Sequence, residues 1–168
     1  VVDRSSLELS LEEPGTTVTI LLEQLAGERI YADKRRHVMS PATTPNLLGV
    51  AKDHEVLERC AVLRGRDSLE PYVYAESLLV PSRLPQRVCE RLENSDEPMG
   101  QVLDDEGVEF TRFGLPCDDP RAPSLIRDSA PPDEYLLARR YRIEVASVPV
   151  VVIAEWFLPA LEGFFRPE

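Results

Sequence analysis

Cysteine is scarce in this chain, with three in 168 residues, and so are histidine and methionine, with two of each. Cys60, Cys89 and Cys117 are odd in number, widely spaced and without a C-x-x-C pair, which excludes a disulfide framework and a zinc cluster as organising devices. A reducing cytoplasmic location is the expectation that follows. No run approaches the ~18 apolar residues that span a bilayer, and Val1 to Ser10 holds no apolar signal core behind a basic end, so no membrane partner is expected. Val1 stands where an initiator Met would, so residues are expected to precede it. Positive charge is also short: 19 Lys and Arg against 30 Asp and Glu leave a formal charge of −11. A nucleic-acid binder would need a basic stripe strong enough to overcome that field, and the arginines here form only local clusters. A small anion in a pocket remains compatible with it.

What is present suffices for one packed domain over residues 1–168. Hydrophobic residues make up 43% and aromatics 7% of the chain, a normal supply for a core. Thr16 or Thr17 can cap a helix in which Val18, Leu21, Leu22 and Leu25 recur at helical spacing until Gly27 stops it. Arg29 to Val38 reads as a polar strand and Pro41 to Gly49 as a loop. Val56 to Arg64 and Pro71 to Val80 predict a hairpin about the turn Gly65 to Ser68. Ser82 is expected to cap a helix carrying Leu84, Val88 and Leu92 on one face. After a tight turn at Glu97 to Gly100 come a short helical piece and a strand near Val108 to Phe113. Leu115 to Glu134 holds five prolines, so it is expected to be a long loop and a candidate lid over a site. Tyr135 to Val145 and Val150 to Leu158 predict a second hairpin, turning near Ser147 to Pro149. The expected fold is α+β, a single domain with an antiparallel sheet covered by helices on one side. A monomer or weak dimer is expected.

Strand residues alternate between faces, so a charge within an apolar set is paired, at a rim, or there for a ligand. Arg59 shares its face with Leu57, Ala61 and Leu63. Arg139 shares its face with Leu137, Tyr141, Ile143 and Val145. Glu155 lies among Val151, Ile153 and Phe157, and its strand is apolar on the other face too. An ionised carboxylate there must pair with an arginine or hold a proton. Arg59 and Arg139 are both candidates to pair with it, or to grip a ligand carboxylate in bidentate fashion. The alternative is an internal ion-pair network with no catalytic role. His37 and His54 read as surface residues and Cys60 as packing. Without a Gly-rich phosphate loop, a G-x-S-x-G elbow or histidines at ligand spacing, no cofactor and no metal are expected.

Arg59-Cys60-Ala61-Val62-Leu63, Glu70-Pro71 and Leu79-Val80-Pro81 are followed by Glu97-Pro98-Met99-Gly100, by Arg139-Arg140-Tyr141-Arg142, and by Val151 to Pro159 with its Glu155-Trp156-Phe157-Leu158-Pro159 ending. In order and spacing these segments resemble the chorismate lyase family, over about Gly15 to Pro159. Leu63 to Arg66 and Ala75 to Leu78 are closer to the mycobacterial branch, which supplies 4-hydroxybenzoate for glycolipids and so implies a secondary-metabolite pathway. The resemblance implies a cofactor-free carbon–oxygen lyase whose partner is a small-molecule substrate, chorismate, split into 4-hydroxybenzoate and pyruvate. It makes Arg59 the grip on the ring carboxylate, Met99 a backbone N–H donor to that carboxylate, Glu155 the partner of the ring hydroxyl and Val18 a wall of the pocket, with Arg139 a further substrate-binding candidate. Ile20 departs from the pattern, standing where relatives often carry a basic residue. Two alternatives share the fold: an enzyme performing another elimination or cyclisation on a small carboxylate, and a non-catalytic ligand-binding domain like the effector domains of bacterial transcription regulators. The latter normally follow a helix-turn-helix segment, which residues 1–14 by themselves are expected to be too few to form.

Overall fold

Alternation of small or apolar side chains with bulkier ones runs through four of the strands, and it sets one sheet with two unlike faces. The computed structural model describes residues 4–12, 17–43, 46–115 and 124–165. Cys117, Pro14-Gly15 and the 116–123 half of the proline-rich stretch lie outside them. The strands are β1 (Ile30–Pro41), β2 (Glu55–Gly65), β3 (Pro71–Leu79), β4 (Thr111–Leu115), β5 (Leu137–Val145) and β6 (Val148–Phe157), and the helices are α1 (Arg4–Glu12), α2 (Val18–Ala26), α3 (Gln86–Asn94) and α4 (Met99–Asp105). All pairings are antiparallel, in the order β1-β2-β3-β6-β5-β4. The two hairpins expected from sequence are thus joined edge to edge through β3 and β6, and the fold is α+β as expected.

One face of the sheet carries every helix. At one end α1 and α2 bury Leu7, Leu11 and Leu22 against Ala61, Leu63, Val73 and Phe157. At the other, α3 and α4 bury Val88, Leu92, Val102 and Leu103 against Leu57, Leu79, Val151 and Ile143. The opposite face is covered by irregular chain: Leu48 and Val50 pack on Val56 and Val152, and Leu125 and Tyr135 on Trp156.

Local signals explain the element ends. The Thr17 hydroxyl accepts from the Ile20 N–H, and Gly27 ends α2 in the left-handed region at φ 68°. Ser82 does not cap α3. Leu84 precedes Pro85, whose ring pushes it into an extended conformation (φ −118°, ψ 152°), so a helix cannot run through. Pro81–Arg83 forms only a 3-10 turn, and α3 starts behind Pro85. The last strand of the first half begins at Thr111 rather than Val108, and Met99 and Gly100, expected in a turn, open α4. Helix α1 was not expected at all, although Leu7 and Leu11, one turn apart, are its buried stripe.

Candidate active site

The pocket arises because the middle of the helical face has small side chains. Ala61, Ala75 and Ser77 stand side by side on β2 and β3, between the two apolar clusters, and nothing large rises from the sheet there. They floor an open hollow of about 630 Å³, solvent at its mouth included. Thr17, Val18 and Thr19 at the start of α2 form one wall, and Pro98, Met99 and Gly100 at the start of α4 form another. The two walls lie side by side at Gly100, where a Cβ would stand in ordinary contact 3.4 Å from that of Thr17.

Strand register places the charged groups. Ladder partners point to the same side of a sheet, so the row Arg59, Ser77, Ile153, Tyr141 and the adjacent row Ala61, Ala75, Glu155, Arg139 both face the helices. Arg59 is 4% exposed, and its Nε and Nη2 have no hydrogen-bond partner. Burial pushes its pKa down to about 10. A buried guanidinium facing a hollow with unused donors is arranged for an acceptor that arrives from outside.

Glu155, equally buried, is provided for internally. Arg139 Nε donates to its Oε2 at 2.6 Å and the Tyr141 hydroxyl to its Oε1 at 2.8 Å. Burial works against the Arg139 charge, but the Glu155 carboxylate and the Tyr141 phenol together more than offset this and hold its pKa above the ordinary value. Burial first, and Glu155 second, push the Tyr141 phenol well above its usual range. The choice left open by the sequence is therefore resolved: Arg139, directly opposite in the β5–β6 ladder, pairs with Glu155, and Arg59 does not belong to that ion pair. Each carboxylate oxygen keeps further lone-pair capacity, and Glu155 still lines the pocket.

Of the residues singled out from sequence, Arg59, Glu155, Met99 and Val18 are brought together in this one pocket. Arg139 is a correction: it stands behind Glu155, over the rings of Tyr141 and Phe157, and does not line the hollow. Of the candidate lid, residues 116–123 lie outside the described residues; residues 124–134 have no regular structure, as expected, and fold on the opposite face, where Ser124, Ser129 and the Leu125 N–H bond Glu76. Glu76, fully buried, was missed, although Tyr74 and Leu78 on its face marked it. Arg112 and Phe110 also line the pocket unforeseen, since β4 joins the sheet at an edge that local pattern does not identify. His37 is only partly exposed and lies beside Arg59 in the β1–β2 ladder. Burial, then Arg59 and Lys34, push its pKa down, and its Nδ1 has no partner.

Residues 16–165 match the family model described as Chorismate pyruvate-lyase Rv2949c-like. The chorismate pyruvate-lyases of Mycobacterium tuberculosis and Mycobacterium leprae are each 28% identical to the chain, over 148 and 145 residues that span 84% of it and 74% and 69% of them. Among solved structures, the ligand-binding domain of a putative GntR-family transcriptional regulator from Bordetella bronchiseptica superposes with a TM-score of 0.52 at 16% identity, over 78% of this chain and 83% of that one. PhnF from Mycobacterium smegmatis does so at 0.56 and 14%, over 88% and 66%. At such identities the likeness to the regulators shows the fold alone. No helix among the described residues is long and apolar enough to cross a membrane.

Proposed function

The chain belongs to the Rv2949c-like chorismate pyruvate-lyase family, and from that premise we propose that it removes pyruvate from chorismate to leave 4-hydroxybenzoate. The observation that carries this reading is Arg59, a buried guanidinium with two nitrogens unbonded, lining the pocket. The substrate's ring carboxylate is a planar acceptor that matches it. Met99, first residue of α4, adds a backbone N–H that the helix itself does not use. Glu155 accepts from the ring hydroxyl at C4.

Chorismate needs little more than positioning, because the product ring is aromatic. The C3–O bond breaks with its electron pair leaving on the enolpyruvate oxygen, the C4 proton departs, and a proton added to the enolpyruvate methylene carbon completes pyruvate. A site that holds the ring at both ends and excludes water from the developing charges supplies orientation and electrostatic stabilisation. Arg139 and Tyr141 act through Glu155: their hydrogen bonds fix where its oxygens stand. The substrate is thus a small molecule, and a reducing cytoplasm is the compartment that two free cysteines among the described residues suit.

Incubation with chorismate, without added metal or cofactor, is expected to yield 4-hydroxybenzoate and pyruvate in equal amounts; absence of either overturns the reading. Because Glu155 both pairs with Arg139 and lines the pocket, Glu155→Gln is expected to lose stability and turnover together. Adding Arg139→Gln removes the charge left behind, so the double variant should recover part of the thermal midpoint but none of the turnover. Recovery of turnover in the double variant would reduce Glu155 to a structural partner.

A further inference from the structure

Arg59 shares the pocket with a second guanidinium. Arg112 lines it from β4, half-buried, opposite Ile143 of β5. In the sheet order β4 lies four strands from β2, so at ~4.8 Å per strand the two backbones are ~19 Å apart. The two side chains reach into the hollow from its opposite sides, one from a central strand and one from the sheet edge. Arg112 also favours the ionised form of the Tyr141 phenol, which places its charge on the Glu155 side of the hollow. Among the described residues, Arg59 and Arg112 line the ligand space with one carboxylate, Glu155, which Arg139 already pairs from behind. In a chain of net charge −11, this is a local positive potential shaped for an anion with more than one negative centre.

A ligand with a single carboxylate uses one of the two lining arginines. We infer that Arg112 receives a second ligand carboxylate, carried on an ether arm meta to the ring carboxylate that Arg59 holds, so that the pocket selects dianionic over monoanionic ring acids. The inference deepens the lyase reading and rests on it for the identity of that arm, which there is the enolpyruvyl group. Its consequence is directional. When the C3–O bond breaks and the arm departs as pyruvate, the ring product keeps one carboxylate and loses the hold of Arg112, so substrate is retained more firmly than the product that must leave.

The test uses unreactive probes, benzoate with one carboxylate and 3-(carboxymethoxy)benzoate with two, titrated calorimetrically into the wild type, Arg112→Gln and Arg112→Lys. The wild type is expected to bind the dicarboxylate about tenfold more tightly. Arg112→Gln should abolish that preference while leaving benzoate affinity within about twofold, and Arg112→Lys should restore part of it, since a point charge lacks the fork. With chorismate, Arg112→Gln should raise KM about tenfold. A wild type without preference, or a Gln variant that loses both probes equally, overturns the inference. If the preference depends on Arg112 but no pyruvate appears from chorismate, the lyase reading falls and the second carboxylate site stands. If pyruvate is released with unchanged KM in Arg112→Gln, the reverse holds.

Discussion

Water is kept from the Arg59 guanidinium without a counter-charge being supplied, and that arrangement costs stability in the empty protein. A pKa pushed from the ordinary guanidinium value down to about 10 corresponds to about 3 kcal/mol as an upper estimate. The sign follows from the direction. For a base whose folded-state pKa is depressed, stability is withheld throughout the neutral range and regained only as pH rises past 10. Arg59→Met keeps the bulk and discards the charge, so its thermal midpoint is expected to rise, by about 1–2 kcal/mol or roughly 3–6 °C, while 4-hydroxybenzoate no longer shifts it. A lower midpoint would show that Arg59 is satisfied within the fold. Glu155 is the opposite case, a charge whose partners are built in. Together the two explain how a sheet interior tolerates a site: one group is neutralised by its neighbours and the other by the ligand.

At the level of elements, hairpin β5–β6 holds the site's most constrained register, because it sets Arg139 opposite Glu155. Its turn is Ala146-Ser147, two residues with φ of 49° and 64°. A two-residue hairpin turn with both φ positive suits Asn-Gly, whereas a Cβ at such positions is strained. Replacing the pair by Asn-Gly is expected to raise the unfolding free energy, read from a denaturant titration, by about 1 kcal/mol with turnover unchanged, since the turn lies at the end of β6 away from Glu155. A loss of stability would mean that the turn's side chains make contacts worth more than the strain. The opposite face shows the same economy with loops in place of helices. Glu76 collects the Ser124 and Ser129 hydroxyls, the Leu125 N–H and the Tyr74 hydroxyl, and so ties residues 124–129 down on the face away from the pocket.

For the whole molecule the dominant quantity is the excess of acid, and its pH dependence follows from where the carboxylates bond. Glu28 accepts from the Ser68 hydroxyl, the Ser68 and Asp67 N–H groups and the Tyr72 hydroxyl, which together hold its pKa at about 2. Asp96 and Glu97 are lowered by Arg66 and Arg91. Groups with depressed folded-state pKa stabilise above their unfolded value and lose that contribution as pH falls through the folded one. Fading self-repulsion near the sequence pI of about 4.7 acts the other way. The thermal midpoint is therefore expected to change little from pH 7 to 5 and to fall steeply from 4.5 toward 2, with a shallower fall in Glu28→Gln. An equal fall in that variant would remove Glu28 from the acid response.

The sequence alone determined what depends on neighbours a few residues away. Alternation marked the two hairpins and put Arg59, Arg139 and Glu155 on apolar faces, the Thr17 cap and Gly27 bounded α2, and the ordered motifs from Arg59 to Pro159 pointed to the family. Only the tertiary structure decided what depends on strand order and register, which are set by contacts between distant segments. It chose Arg139 over Arg59 as the partner of Glu155 because those residues face each other across one ladder. It brought Arg112 to the pocket by adding β4 at the far edge, seated Leu7 and Leu11 of α1 against a core assembled from distant segments of the chain, and sent residues 124–134 to the side of the sheet where Glu76 offered a buried acceptor. Periodicity reveals which face a side chain takes along its own strand, but which charge meets which is settled only when the strands are laid side by side.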